Sequence, residues 1–200
     1  IGVDKILRMW NVADEKISVE LDSIMLPERC VTLDYRNEGD NSYVYAPSIG
    51  FVFTIKIDKI NMKFGKIKKI ELVESPGILI RHIKLFKDLT LLSSHKQGLH
   101  IFRDLINSEK ANVECKYQCE SKINVFELNT NGEICFGSYN GQIKLCLIDS
   151  QNTSEYILTQ KGLIPSHIHK VSSLTFSAKS QNILFSGDIS GTLFISDISS

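Results

Sequence analysis

"HKVSSLTFSAKSQNILFSGDISGTLFISD", residues 169–197, holds two apolar stretches, a turn rich in Gly, Asp and Ser, and a third apolar stretch closed by Asp197. The same layout returns in "INVFELNTNGEICFGSYNGQIKLCLID" at 123–149, with turns at 129–132 and at Asn140-Gly141. It returns again in "LIRHIKLFKDLTLLSSHKQGLHIFRD" at 79–104 and, more loosely, in "RCVTLDYRNEGDNSYVYAPSIGFVFTIKID" at 29–58. Near the start, "VDKILRMWN" reads as the tail of one more copy. The chain is a repeat, and a repeat is read as a series before any single residue is weighed.

Aligning the last stretch of each copy places Trp10, Ile55, Phe102, Cys146 and Ser196 at one position, at intervals of 45, 47, 44 and 50 residues. Each unit contains three or four short runs rich in Ile, Val, Phe and Leu with period-two alternation, which predicts strands. Gly, Asn, Asp and Ser separate the runs, as turn chemistry requires. Helical spacing is never sustained for the ten or so residues a helix needs. The fold class predicted is all-β, with repeats at roughly 1–13 (last strand only), 14–58, 59–104, 105–149 and 150–200. A four-stranded sheet of this size cannot bury both faces alone. Stacking neighbouring sheets around an axis buries them, so a period near 45 predicts a β-propeller.

These repeats carry further family marks. "SHIHKV" (Ser166 to Val171) resembles the Gly-His-then-Val opening of the WD-repeat family, with Ser166 in place of Gly. "DKILRMWN" (Asp4 to Asn11) and "SGDISGTLFISD" (Ser186 to Asp197) resemble that family's closing strand. The resemblance implies a blade lock of His, Ser, Asp and Trp held by hydrogen bonds. His167 and Ser186 match it in the last repeat, with Ser190 at the Asp position and Ser196 at the Trp position. Asn140 and Cys146 stand at those two positions one repeat earlier, and Lys96 and Phe102 one earlier still. Asp4 and Trp10 keep the pair in the first unit, and the resemblance implies that Trp10 is buried. Family rings usually have seven or eight blades, so four units and a strand are expected to be part of a larger propeller, with 4–11 an outer strand of an incomplete blade.

The bulk numbers narrow the function. The 200 residues carry 23 Lys plus Arg against 23 Asp plus Glu, so no overall field draws the chain to nucleic acid or to an anionic membrane. No apolar run reaches the eighteen or so residues that span a bilayer. The chain opens on Ile1 without a signal-like stretch and is expected to be an excised segment. Five scattered cysteines (Cys30, Cys115, Cys119, Cys135 and Cys146) fit buried, reduced thiols in an intracellular protein. Asn152-Thr153-Ser154 matches a glycosylation triplet that chance alone produces often.

No chemistry converges. Cys115-x3-Cys119 lacks the second pair a zinc site needs, so no metal is expected. Among His82, His95, His100, His167 and His169, the last two fall in a repeat opening, where His167 reads as a structural residue. No phosphate loop and no nucleophile elbow is present, so no cofactor is expected and the chain reads as non-catalytic. The expected role is a scaffold for other proteins, with loop residues such as Tyr43 and Tyr139 as candidate anchors.

The alternative is RNA. "KIDKINMKFGKIKKIEL" gathers Lys56, Lys59, Lys63, Lys66, Lys68 and Lys69 around Met62 and Phe64, at the junction of two repeats and partly in its loop. Cations interleaved with apolar side chains suit phosphates and bases. In addition, "LPERCVTLDY" followed by "SYVYAPSIGFVFTIKI" resembles the WD-repeat, non-catalytic subunit of the tRNA guanine-7 methyltransferase, through Pro27, Arg29, Ala46, Gly50 and Val52. Pro47, Ser48 and Phe51 depart from that family's pattern.

Overall fold

The computed structural model describes residues 4–12, 19–73, 77–94, 98–103, 105–106, 108–152 and 155–199. The described residues form strands only: β1 (Ile6–Asn11), β2 (Val19–Met25), β3 (Asp34–Glu38), β4 (Asn41–Pro47), β5 (Phe51–Asp58) and β6 (Lys63–Leu72). The chain goes on through β7 (Ile80–Phe86), β8 (Leu89–Ser94), β9 (Gly98–Arg103), β10 (Lys110–Ala111), β11 (Cys115–Tyr117) and β12 (Ile123–Leu128). It ends with β13 (Glu133–Ser138), β14 (Ile143–Asn152), β15 (Glu155–Ile164), β16 (Val171–Phe176), β17 (Ile183–Asp188) and β18 (Leu193–Asp197). Five sheets result, ordered β1-β2, β10-β6-β5-β4-β3, β11-β9-β8-β7, β12-β13-β14-β15 and β16-β17-β18. The fold is all-β, built from sheets of the kind that serve as propeller blades. No described helix is long and apolar enough to cross a membrane.

Sheets and sequence repeats are out of phase. The strand that closes each repeat is the third of its sheet, and the opening strand of the next repeat adds the fourth. Thus β2, β6, β11 and β15 pair with β1, β5, β9 and β14. The repeat position found by alignment is a true structural position. Ile55, Phe102, Cys146 and Ser196 lie across from Val44, Thr90, Ile134 and Leu184, and all four are buried.

Trp10 breaks this rule and corrects the expectation that it is buried: it is 48% exposed. Its counterparts explain why. Ile55 packs into a cluster with Leu7, Leu26 and Ile24, and Cys146 packs with Leu89, Leu91, Leu99 and Ile101. The position therefore faces the preceding sheet. Among the described residues no sheet precedes β1-β2, and the indole is left about half exposed.

The chain divides into two compact units, Ile1–Leu85 with Asp104–Asn112, and Phe86–Arg103 with Val113–Ser200. The core of the first is Leu7, Leu26, Cys30, Val44, Ala46, Phe53 and Ile55. The second has two apolar layers. In one, Leu89, Leu91, Leu99 and Ile101 meet Ile123, Phe126, Ile134, Phe136 and Cys146. In the other, Cys135, Ile143 and Leu145 meet Val171, Leu174, Leu184 and Ile198. Each sheet turns one set of alternating residues back and the other forward, the period of two that the sequence displays.

Three hairpin turns in the second unit are copies of one another. In 129–133, 138–142 and 188–192 the first N–H donates to the fifth carbonyl, at 3.0, 3.1 and 3.1 Å. In each, the N–H of the fourth residue, a glycine, donates back to the first carbonyl. Gly132, Gly141 and Gly191 hold φ of 83°, 86° and 90°, a region open chiefly to glycine.

Candidate protein-interaction surface

The loop before β16 is pinned to the turn of the preceding sheet. The His167 N–H donates to the Gly141 carbonyl at 3.0 Å. A methyl group on Gly141 would lie 2.1 Å from the His167 carbonyl oxygen, so only glycine admits the loop this closely. The His167 ring then enters the sheet. Its Nε2 lies 2.8 Å from Ser186 Oγ, its Nδ1 faces Asp188 Oδ2 at 3.3 Å, and the Phe194 ring stacks on it at 4.4 Å.

Asp188 is in turn held by its own hairpin. Its Oδ1 accepts from the Ser190 hydroxyl at 2.6 Å and from the Ser190 and Thr192 N–H groups at 2.9 and 3.1 Å. These donors, the Ser190 hydroxyl foremost, hold the carboxyl below its ordinary range. The structure thus brings His167 and Ser186 together, and it corrects the motif reading around them. The carboxylate comes from Asp188, two residues ahead of the expected position, and Ser190 serves as its donor. The stacked ring is Phe194, while Ser196 is a small buried residue.

Ser, His and Asp in this order suggest a nucleophile relay. Here, however, His167, Ser186 and Asp188 are all buried, and Phe194 lies over the imidazole. Through these contacts the cluster links the loop to β17. One repeat earlier a smaller version suffices, in which the Ser138 hydroxyl bonds to Asn140 Oδ1 and to the Gln142 carbonyl. His95 and Lys96 lie outside the described residues. Among the described residues no histidine is brought to Asp4 and Trp10. Asp4 instead pairs with Arg8 at 2.7 Å and accepts from the Ile6 N–H, in an exposed setting.

The fastened loop and the two neighbouring turns expose a compact group of side chains. Ile168 stands between His167 and His169 with 91% of its surface in solvent, and Ile189 in the next turn is 64% exposed. The Ile189 N–H donates to the Lys170 carbonyl at 3.1 Å, and Lys170 Nζ lies 4.5 Å from the centre of the Tyr139 ring. Tyr139 therefore sits in a turn, as expected for an anchor. Tyr43 does not; it lies within β4, half-buried and across from Lys56. Ile168 and Ile189 were not singled out from the sequence. Their signal is a bare apolar residue inside a turn, which stands out only once turn and loop are known to be adjacent.

The lysine-rich stretch is a single hairpin, β5-β6, rather than a loop between repeats. Lys68 and Lys69 are successive residues of β6, so they project to opposite faces. Lys68 Nζ donates to the Ile106 carbonyl, while Lys69 Nζ lies 3.4 Å above the Phe51 ring and 3.7 Å from Glu28. Lys59 reaches the Gly39 carbonyl at 3.5 Å. Lys56, Lys63 and Lys66 are exposed. Phe64 packs toward the first core, which withdraws it from stacking on a base.

Burial raises the thiols of the five cysteines, Cys30 and Cys119 to about 11, which suits inert apolar residues. Among the described residues no group of three His, Cys, Asp or Glu side chains is placed to hold a metal ion.

No protein-family model matches the chain, and no curated protein matches it in sequence. Solved structures do match its fold. The computationally designed Ika4 protein is 14% identical with a TM-score of 0.58, over 92% of this chain and 100% of that one. The computationally designed Ika8 protein is 14% identical with a TM-score of 0.59, over 90% of this chain and 50% of that one. A chain in the crystal structure of the mitotic checkpoint complex is 11% identical with a TM-score of 0.67, over 100% of this chain and 58% of that one. The chain thus spans about half the length of the latter two, and at these identities it shares with all three a fold.

Proposed function

We propose that the chain is a stretch of WD-repeat-type β-propeller acting as a non-catalytic scaffold, which holds protein partners in an intracellular complex on the rim formed by Tyr139, Ile168, Lys170 and Ile189. The observation that carries this reading is the near-complete exposure of Ile168 on a loop held by backbone hydrogen bonds at His167 and Lys170. An apolar side chain held still in water loses little conformational entropy on binding, which is how anchors at interfaces gain affinity. That one solved structure of like fold is part of a multi-protein complex agrees with it. The RNA reading gains nothing from the β5-β6 hairpin, which divides its lysines between two faces.

The test replaces Ile168 and Ile189 together by Asp in the full chain and compares the proteins each version retains from native extract after RNase treatment. The reading requires partners that resist RNase and are lost with the double substitution, while circular dichroism stays unchanged. Partners retained by the variant would place binding elsewhere.

A further inference from the structure

In the second unit, the fourth sheet (β12-β13-β14-β15) and the fifth (β16-β17-β18) share one register. Phe136 pairs with Lys144 where Ser186 pairs with Phe194, and the turn 138–142 matches 188–192. The Tyr139 N–H donates to the Lys122 carbonyl as the Ile189 N–H donates to that of Lys170. Three residues before Lys170 stands His167, and three before Lys122 stands Cys119. In the fifth sheet the His167 ring fills the space between Ser186, Asp188 and Phe194. In the fourth, Cys119, Phe136, Ser138 and Lys144 hold those four places, and a thiol is smaller than an imidazole. With Ser121 and Gln142 they line a depression of about 230 Å³ that opens to solvent. The fourth sheet is packed on both faces, against the third sheet on one and the fifth on the other. The space is therefore left by residue size and not by a missing neighbour.

Lys144 supplies the charge of this depression. Its side chain is 15% exposed, and the carboxylate it meets, Glu120, lies 3.8 Å away and is itself 82% exposed. An ion pair with so well solvated a carboxylate contributes little, so Glu120 yields its place at small cost. Lys161 and Glu133, by contrast, meet at 2.7 Å with the carboxylate buried. Burial keeps the Cys119 thiol neutral, so it adds no competing negative charge. The Ser121 hydroxyl and the Gln142 amide bring donors of the kind a carboxylate accepts. The rim around the depression is basic as well. Residues 118–122, 138–142 and 166–170 carry Lys122, Lys170 and His169, with Glu120 as their one carboxylate.

We infer that the partner of this rim is an acidic protein segment, one of whose Asp or Glu side chains enters the depression and replaces Glu120 on the Lys144 ammonium. The inference rests on the reading above that the rim holds protein, and it names the chemistry of what is held. Charge complementarity selects the partner: a basic rim on a chain of zero net charge favours an acidic segment over a neutral one. Ile168 supplies apolar contact on the same rim, and Lys144 the one charge set below the surface.

Carbodiimide cross-linking tests this on the full chain together with the proteins it retains from RNase-treated extract. The reagent activates a carboxyl group, and a lysine amine in contact displaces the activating group to leave an amide. Mass spectrometry should find Lys144 joined to an Asp or Glu of a partner. A capped peptide carrying that residue should bind the wild type about tenfold more tightly than its Asn or Gln version. Lys144→Met should bind the two peptides alike. Glu120→Gln, a change at an exposed side chain, should bind the acidic peptide more tightly than the wild type does. Lys144 joined only to Glu120, or a wild type that binds both peptides alike, overturns the inference. Partners retained through Ile168 and Ile189 that leave Lys144 unjoined would sink this inference and spare the rim reading, whereas a chain that retains no protein would sink both.

Discussion

Asp188 answers to two neighbours: one carboxylate oxygen closes its own hairpin, and the other faces the buried imidazole of His167. Because its donors hold the folded pKa below the ordinary carboxylate value, protonation is harder in the folded chain than in the unfolded one. The stability it contributes is therefore present above the ordinary carboxylate range and lost as pH falls through the depressed value. Ser190→Ala removes the foremost donor, so its acid-unfolding midpoint, followed by circular dichroism, should move to higher pH. A midpoint equal to that of the wild type would show that the backbone donors alone hold the carboxylate. Gly141 and Gly191 make a second comparison. Both have positive φ, so alanine at either strains the backbone by about 1–2 kcal/mol. At Gly141 the new methyl also meets the His167 carbonyl, whereas at Gly191 nothing lies within 4 Å. Urea denaturation should find Gly141→Ala the more costly, and equal costs would mean that the loop yields freely.

At the scale of strands and sheets, equivalent positions part company by what covers them. Ile143 and Leu193 are the same residue of successive sheets, one buried and one exposed. Ile143→Ala should cost about 2–5 kcal/mol in chemical denaturation. Leu193→Ala should stay within about 0.5 kcal/mol. Much of this scale was legible beforehand. Period-two runs and Gly-centred turns marked the strands of 123–149 and 169–197, because each of those residues answers to its own pleat and turn. The outer strands were not legible: β10 and β11 are two and three residues long, and β6, the fourth strand of its sheet, is half lysine and glycine around its apolar positions. They exist because a neighbouring edge offers hydrogen bonds, which no local pattern records. Asp188 was hidden for a related reason. A carboxylate two residues from its customary place reaches the same imidazole when the hairpin folds back, and only the turn geometry shows it. Trp10 failed in the other direction, since burial belongs to the neighbouring sheet and not to the residue.

The charge of the whole molecule bears on what it can bind. With 23 basic and 23 acidic side chains, any pull on a polyanion has to come from a local array. In the β5-β6 hairpin, Lys68 and Lys69 point to opposite faces and are drawn to the Ile106 carbonyl and to Glu28, and Lys59 leans on Gly39. Three exposed lysines remain, Lys56, Lys63 and Lys66. On single-stranded RNA each phosphate neutralised changes the logarithm of the binding constant by about −0.7 per decade of salt. Six lysines acting as one array would give a slope of about −4, and three would give about −2 at most. Mobility-shift titrations of the full chain with a single-stranded RNA over a range of salt should therefore give weak binding and a slope no steeper than about −2. The Lys66→Glu variant should bind RNA more weakly while retaining the same RNase-resistant protein partners as the wild type. A slope near −4 would mean that the hairpin rearranges to present all six lysines together, and it would move the functional centre of the molecule from the rim of the second unit to the outer strand of the first.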